Sequence, residues 1–320
     1  MSAAAPDAIA VVTVNWNGWR MSLACLGSLR RSRGATWRLY LVDNASTDDS
    51  LEQLADLGAD VVLLRSSVNG GWTGGNNLGV RRALDDGFEH IFILNNDALV
   101  EPDTLATLLD LFRTRGTRPV LGPVQLDHDG RTPEFVGAEI EAATGLPRIT
   151  RVQEVVLDDL PAIYPTAFVK GAALFAHRDH FERAGLFDAD FYLNYDDTDW
   201  CFRVRAAGFE MLMTTTARVV HAGSGSIGGA LSPLNIYFLA RNELLFAERH
   251  CGLRQRPAQL VSYQKLSSRI PQYPTRTRRA VALLFGRHAT ARAWRAGVRD
   301  YLLRRFGDCP RAIRQMSGSR

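Results

Sequence analysis

The chain predicts an α/β fold: a mostly parallel open sheet flanked by helices, with a helical extension at the C-terminus. Three observations carry this. Apolar, β-branched runs alternate with helix-spaced segments through the first 118 or so residues. The connections between them are short, which favours parallel βαβ units. The apolar runs also end in compact polar clusters, where ligands bind in such sheets.

The first strand is expected over Ile9–Val14, and a helix over Gly18–Arg33 through Met21, Leu23, Cys25, Leu26 and Leu29. Arg38–Val42 reads as a second strand ending at Asp43, followed by a helix over Thr47–Leu57. Val61–Leu64 is a third strand. A Gly-rich turn follows it, then a helix through Leu78, Val80, Ala83 and Leu84. His90–Leu94 is the fourth strand, ending at Asn95-Asn96-Asp97. Glu101–Arg113 is a helix with Pro102 near its start.

Beyond residue 118 the alternation changes. Val120–Leu126, Glu134–Ile140 and Phe168–Phe175 read as strands without regular helices between them. A helix follows over Asp197–Ala207, then short strands at Glu210–Met213 and Ala217–Val220, and a helix over Ser232–Arg249. Pro257, Pro271 and Pro274 interrupt the chain before a last helix, about 278–306. These changes divide the chain into 1–118, 119–255 and 256–320.

Composition bounds the function. The 320 residues are 46% hydrophobic and 22% charged, enough for a sizeable core. No apolar run is long enough to span a bilayer, and the N-terminus lacks the pattern of a signal peptide. Cys25, Cys201, Cys251 and Cys309 are scattered with no CxxC, which argues against a zinc knuckle or a disulfide framework and fits a reducing cytoplasm. Residues 265–320 hold 14 of the 38 basic side chains and two of the 34 acidic ones, a net +12 against −8 for the remainder. A basic tail on an acidic body suits an anionic surface, with membrane ahead of nucleic acid, or else a solvated helix packed on the body. Only Lys170 and Lys265 are lysines, so the arginines are not read as chosen for phosphate.

Each polar cluster admits a chemical and a structural reading. Asp43 can accept hydrogen bonds from a ribose or base edge, or make a turn with Asn44 and Ser46. Asn69–Asn77 holds four glycines and can bring backbone N–H groups to a phosphate at a helix start, or be a surface loop. It is neither a P-loop nor a GxGxxG fingerprint, which counts against an NTPase and a dehydrogenase. Asp97 can hold a hard divalent ion together with nucleotide phosphates, or cap a turn. Asp196, Asp197 and Asp199 lie within four residues, and their repulsion can lift one into the range of a general base; the same residues suit a helix N-terminus. His221 can be a metal ligand or a phosphate donor, or simply structural. Arg241 lies in an apolar helix and needs a partner, either a diphosphate or an acid.

Taken together and in order, these segments resemble family 2 glycosyltransferases of the GT-A fold, nearest to a rhamnosyltransferase-like branch. The carrying stretches are Val12–Asn17, Leu41–Asp48, Asn69–Gly79, Leu94–Asp97, Gly171–Phe175, Asp196–Arg203, His221–Ser226 and Tyr237–Asn242. They span about residues 8–250. The resemblance implies a Rossmann-like sheet and inverting transfer of a sugar from a nucleotide-diphosphate donor, dTDP-rhamnose or a UDP-sugar, to a hydroxyl. It implies that Thr13, Asn15, Asp43, Asn76 and Asn96 hold the nucleotide sugar. By the same resemblance Asp97, at the last position of the family's DXD motif, binds Mg²⁺ or Mn²⁺ with help from His221. Asp197 is the base, with Asp196 beside it, and Arg241 meets the leaving diphosphate. The DXD position reads Asn95-Asn96-Asp97, leaving one carboxylate for metal, and the usual Glu-Asp pair reads Asp196-Asp197.

The expected acceptor is a glycan, a lipid-linked glycan or a small molecule. The expected place is the cytoplasm, peripheral at the inner membrane face through 278–306, with no nucleic-acid partner. A non-catalytic sugar-nucleotide scaffold and a nucleotidyltransferase are the alternatives. Both Asp97 and Asp197 speak against the first, and the lack of a basic Gly-rich loop after the first strand speaks against the second.

Overall fold

The computed structural model describes residues 7–221, 232–252 and 284–317. Its described residues divide into two compact units. The first lies within 1–139, 149–187 and 197–223, and the second within 140–148, 188–196 and 224–320.

The first unit is built on the sheet. Strands β1 (Ile9–Asn15), β2 (Trp37–Asp43), β3 (Val61–Arg65) and β4 (His90–Leu94) run parallel in the order β3-β2-β1-β4. Helices α1 (Trp19–Leu29), α2 (Ser50–Gln53), α3 (Gly71–Asp85) and α4 (Thr104–Thr114) fall between and after them, with β5 (Ala98–Val100) after β4. The alternation expected of the first half is therefore present. The second half adds β6 (Val120–Leu126) and β7 (Pro133–Phe135), then short strands β8 (Ala138–Ile140), β9 (Pro147–Ile149) and β10 (Ile163–Pro165). Strand β11 (Ala173–His177), helices α5 (Arg178–Ala184) and α6 (Asp196–Ala206), and strand β12 (Met211–His221) complete the series. β11 inserts antiparallel between β4 and β6, and the order continues through β12 to β10. β5 pairs with β12 and β7 with β6.

Several local expectations are corrected. The Gly-rich segment is the first two turns of α3, not a loop. A Cβ on Gly75 would lie 2.6 Å from Val14, and one on Gly79 2.4 Å from Val12. The glycines let the helix settle directly on β1. The helix expected over Thr47–Leu57 shrinks to four residues because side chains take the preceding backbone. Ser46 N–H donates to Asp43, and the Thr47 and Asp48 N–H groups donate to Asn17. The strand expected over Glu134–Ile140 breaks at Gly137, whose φ is +115°. The strand expected over Phe168–Phe175 begins only at Ala173. The two short strands expected around residue 215 are one, β12, with a register shift between Thr214 and Arg218.

In the second unit, α7 (Pro233–His250), α8 (Ala289–Leu302) and α9 (Arg311–Met316) share a core of Tyr192, Leu234, Tyr237, Phe238, Ala293, Cys309 and Ile313. Part of the helix expected over 278–306 is α8, and residues 278–283 of that expectation lie outside the described residues. A Cβ on Gly297 would sit 2.5 Å from the Tyr237 carbonyl, so α8 crosses α7 at backbone distance. Tyr237 O–H donates to the buried Asp300 carboxylate at 2.9 Å.

The end of β4 away from the polar clusters holds three buried histidines. His90 and His177 are register partners, with ring centroids 5.4 Å apart, and His90 stacks on Phe175. Burial, with His177 nearby, pushes His90 down to about 4, against smaller opposite pulls from Glu89 and Asp7. Burial also pushes His180 down to about 4. The Nδ1 of His180 accepts from the His177 N–H at 3.0 Å, while its Nε2 lies 2.8 Å from the Arg118 carbonyl, so the neutral ring protonated at Nε2 fits the site. These groups bind protons more tightly in the unfolded chain. Their contribution is therefore complete above pH ~6.5 and is lost as pH falls toward about 4, at up to ~1.4 kcal/mol per pH unit for each histidine. His90→Phe removes one of them and an unpartnered buried Nδ1. Urea midpoints measured from pH 7 to pH 4 should fall less steeply in the variant by about one proton's worth of slope.

Candidate active site

The carboxyl ends of β1 and β2 are locked together. In their parallel register Asn15 faces Asp43, and its amide donates to the Asp43 carboxylate at 3.0 Å and to Ser46 Oγ at 3.1 Å. Ser22 on α1 donates to Asn15 Oδ1 at 2.8 Å and accepts from Asn96 Nδ2 at 3.2 Å. Ser22, which sequence reading missed, therefore ties three of the expected donor-binding positions into one network. Thr13 is buried one turn of pleat below. Asn76 donates to the Trp72 carbonyl inside α3, and its Oδ1 is buried without a partner.

The register of β5 on β12 pairs Ala98 with His221, which sets Asp97 beside that ring. His221 Nε2 is 3.2 Å from Asp97 Oδ1, and its Nδ1 is 2.6 Å from Glu134 Oε2. Glu134 Oε1 is in turn 2.5 Å from Lys170 Nζ. Burial opposes charge on His221, but the two carboxylates outweigh it and raise the ring to about 9. Burial likewise opposes charge on Glu134, and His221 and Lys170 overcome it, bringing Glu134 down to about 2. Neither Asp97 nor His221 satisfies the pair fully. Oδ1 and Nε2 are buried and neither makes a hydrogen bond. A carboxylate oxygen and an imidazole nitrogen so placed fit a divalent cation. Among the described residues no group of three or more metal-type side chains forms, so the remaining ligands would come from elsewhere. Glu134 is 37 residues from Asp97, and nothing local in the sequence marks it.

Asp197 lies in the first turn of α6. Its Oδ2 accepts from Gly171 N–H at 2.7 Å, and its Oδ1 accepts from Thr198 N–H at 2.6 Å and Thr198 O–H at 3.0 Å. Burial nevertheless raises its pKa, against these donors and Lys170. That is the direction a general base needs. Gly171 is obligatory here: a Cβ would lie 2.5 Å from the Trp72 ring and 3.2 Å from Asp197 Cβ. Trp72 is held by its Nε1–H, donating to Asn95 Oδ1 at 2.9 Å. Asp196, the first residue of α6, is buried.

Arg241, expected at the leaving diphosphate, is engaged with main chain. It is 0% exposed and spends its guanidinium on the second unit's own backbone. It donates to the carbonyls of Gly307 at 2.6 Å and of Asp190 and Phe191 at 2.9 Å, with its Nε–H on Asn242. Asn242 Nδ2 holds the carbonyls of Phe191, Leu193 and Asn194. Together they clamp a segment in which Tyr192, Asn194 and Tyr195 have positive φ, a conformation unfavourable for side-chain-bearing residues. Arg241 supports that backbone with four hydrogen bonds from its guanidinium. Of the His221–Ser226 stretch, only His221 falls within the described residues.

Residues 10–156 match the family model of glycosyl transferase family 2. The dTDP-rhamnosyl transferase RfbF of Shigella flexneri is 24% identical over 219 residues, 66% of this chain and 71% of that protein. The N-acetylglucosaminyl-diphospho-decaprenol L-rhamnosyltransferase of Mycobacterium tuberculosis is 24% identical over 271 residues, 78% of this chain and 88% of its own. The mannosyltransferase PcManGT of Pyrobaculum calidifontis, solved with GDP-Man and Mn²⁺, superposes with a TM-score of 0.55 at 17% identity, covering 93% of this chain and 86% of that one. The sheet is thus that of a GT-A fold. Residues 10–156, a little under half of the chain, match the glycosyl transferase family 2 model, and rhamnosyltransferases are among the proteins the chain resembles.

Replacing Arg241 by Lys should lower unfolding free energy by about 3 kcal/mol, because a point charge cannot serve the carbonyls that the planar fork reaches. Denaturant titration of the variant checks this. A variant of unchanged stability but weakened nucleotide binding would return Arg241 to the donor site.

Proposed function

We propose that the protein is an inverting glycosyltransferase that moves a sugar, with rhamnose favoured, from a nucleotide-diphosphate donor to an acceptor hydroxyl. The observation that carries this is the half-buried Asp197, held by Gly171 and Thr198, on the same unit as the Asp97–His221 pair. In the proposed reaction the acceptor O–H gives its proton to the Asp197 carboxylate. Its oxygen bonds to the anomeric carbon from the face opposite the leaving group, and the bond to the diphosphate oxygen breaks with its electron pair. Gly171 and Thr198 hold the carboxylate in place for this step. The Asn15–Asp43–Ser46 network and Asn96 present the nucleoside end of the site, with Thr13 and Asn76 in support.

Asp97 and His221 would hold the divalent cation, which supplies positive charge for the departing diphosphate. An imidazole ligand favours Mn²⁺ over the oxygen-demanding Mg²⁺. Glu134 orients the ring through Nδ1, the arrangement that keeps Nε2 turned to a metal. The rhamnose preference rests on the two rhamnosyltransferase relatives. So does the lipid-linked glycan acceptor, since the mycobacterial relative is named for a diphospho-decaprenol substrate. The reaction is placed in the cytoplasm, at the inner face of the membrane.

Asp197→Asn should reduce transfer by at least ~10³-fold while leaving nucleotide binding unchanged. Activity retained within tenfold would remove Asp197 as the base. The donor is read by melting shifts with dTDP- and UDP-sugars plus Mn²⁺, where ligand at 100 times Kd adds about 2.7 kcal/mol. A shift confined to UDP compounds would discard rhamnose. Glu134→Gln should weaken Mn²⁺ binding in the presence of nucleotide by about 10–100-fold, read by titration calorimetry.

A further inference from the structure

Helix α8 carries two apolar stripes, one of which packs on α7. Ala293 and Gly297, with the buried Asp300, face α7. Trp294, Val298 and Leu302 follow one another at four-residue spacing about a quarter-turn away. With Leu284 and Leu303 they line a single shallow surface concavity. Leu302 is 68% exposed, and Leu284 and Leu303 are each 53% exposed. Isolated exposed leucines need no account, but a contiguous set at helical spacing does.

The border of this patch is cationic. Arg295 and Arg299 line the same concavity, one residue beyond Trp294 and Val298 and four apart from each other. Residues 284–317 hold eight arginines and two acids, Asp300 and Asp308. Asp300 is buried between the Tyr237 hydroxyl and the Arg299 guanidinium, which pairs with it at 2.9 Å, and Asp308 pairs with Arg314. The carboxylates of this stretch are therefore engaged, and the field around the patch is positive.

We propose that this face of α8 is a docking surface for an anionic membrane. The leucines and Trp294 enter the acyl boundary while Arg295 and Arg299 meet lipid phosphates. The pairing of a narrow apolar stripe with a flanking arginine row matches the layering of a lipid interface, apolar below and anionic above. Among the described residues no helix is long and apolar enough to cross a membrane, so the contact is peripheral. This deepens the functional reading and rests on it only for the purpose of the contact, access to a lipid-linked acceptor.

The test is co-sedimentation of the full chain with phosphatidylglycerol and phosphatidylcholine vesicles at low and high salt. The proteins are wild type, Leu302→Ser/Leu303→Ser and Arg295→Gln/Arg299→Gln, each also assayed by melting and by gel filtration. Wild type should bind phosphatidylglycerol vesicles at least ~10-fold better than phosphatidylcholine, and either double variant should lose about that factor, the leucine variant without a change in melting temperature and the arginine variant with a fall from the loss of the Arg299–Asp300 pair. Absence of wild-type binding overturns the proposal. So does a wild-type dimer that either double variant converts to monomer, which gives the face to a second copy. A leucine variant that melts lower yet still binds vesicles gives it to this chain's own residues and overturns the proposal as well. Vesicle binding without any nucleotide-induced melting shift would leave the surface standing and remove the donor reading, and the reverse result would remove only the surface.

Discussion

The antiparallel hydrogen bonding of β11 to β4 is the constraint on which the site depends. It sets Ala173 against Leu94, and Asn95 N–H donates to the Ala172 carbonyl at 3.0 Å. Gly171 is thereby carried beside Trp72, close enough that only a glycine fits. The free N–H of Gly171 then becomes a donor to Asp197. Asp197 from α6 and the polar end of β4 are brought together by one strand running against its neighbours. Slipping that register by one residue would turn Gly171 and Ala173 to the opposite face.

A second set of relations comes from strand pairing at the other end of the sheet. β5 is only three residues long, yet its register on β12 puts Asp97 against His221. Glu134, just before the break at Gly137, completes a row of alternating charges from Asp97 to Lys170. The carboxylates of Asp97 and Glu134 beside His221 outweigh its burial, which is why the histidine is raised although burial alone would lower it. At the far end of β4 burial outweighs the weaker carboxylate pulls on His90 and His180, and both move the other way. The same residue type thus serves opposite electrostatic ends within one sheet.

Buried arginine chemistry explains the second unit in similar terms. Arg241 and Asn242 are adjacent on α7 and share the carbonyls of one irregular segment. A guanidinium among Tyr237, Phe238 and Phe306 is compensated by carbonyl oxygens and ring faces. From the sequence, an arginine within an apolar helix demands a partner, and a diphosphate and a main-chain clamp satisfy that demand equally. Only the fold distinguishes them. The glycines of Asn69–Gly79 pose the same ambiguity: close approach to a phosphate and close approach to a strand both require the missing Cβ. At Gly75 and Gly79, Val14 and Val12 decide for the strand.

The sequence by itself determined the fold class, the parallel β1–β4 order of events, and the positions of Asn15, Asp43, Asp97, Asp197 and His221 as polar ends of apolar elements. Those features are local: periodicity, strand termini and turn residues repeat within a few positions and need no distant information. The tertiary structure alone decided which of these ends meet. It joined Glu134 and Lys170 to His221, and Ser22 to Asn15 and Asn96, across separations from seven to 87 residues. It also set the Arg241 guanidinium on main-chain carbonyls. Strand register and burial make these pairings, and both are properties of the assembled sheet and helices that no single stretch of the chain encodes.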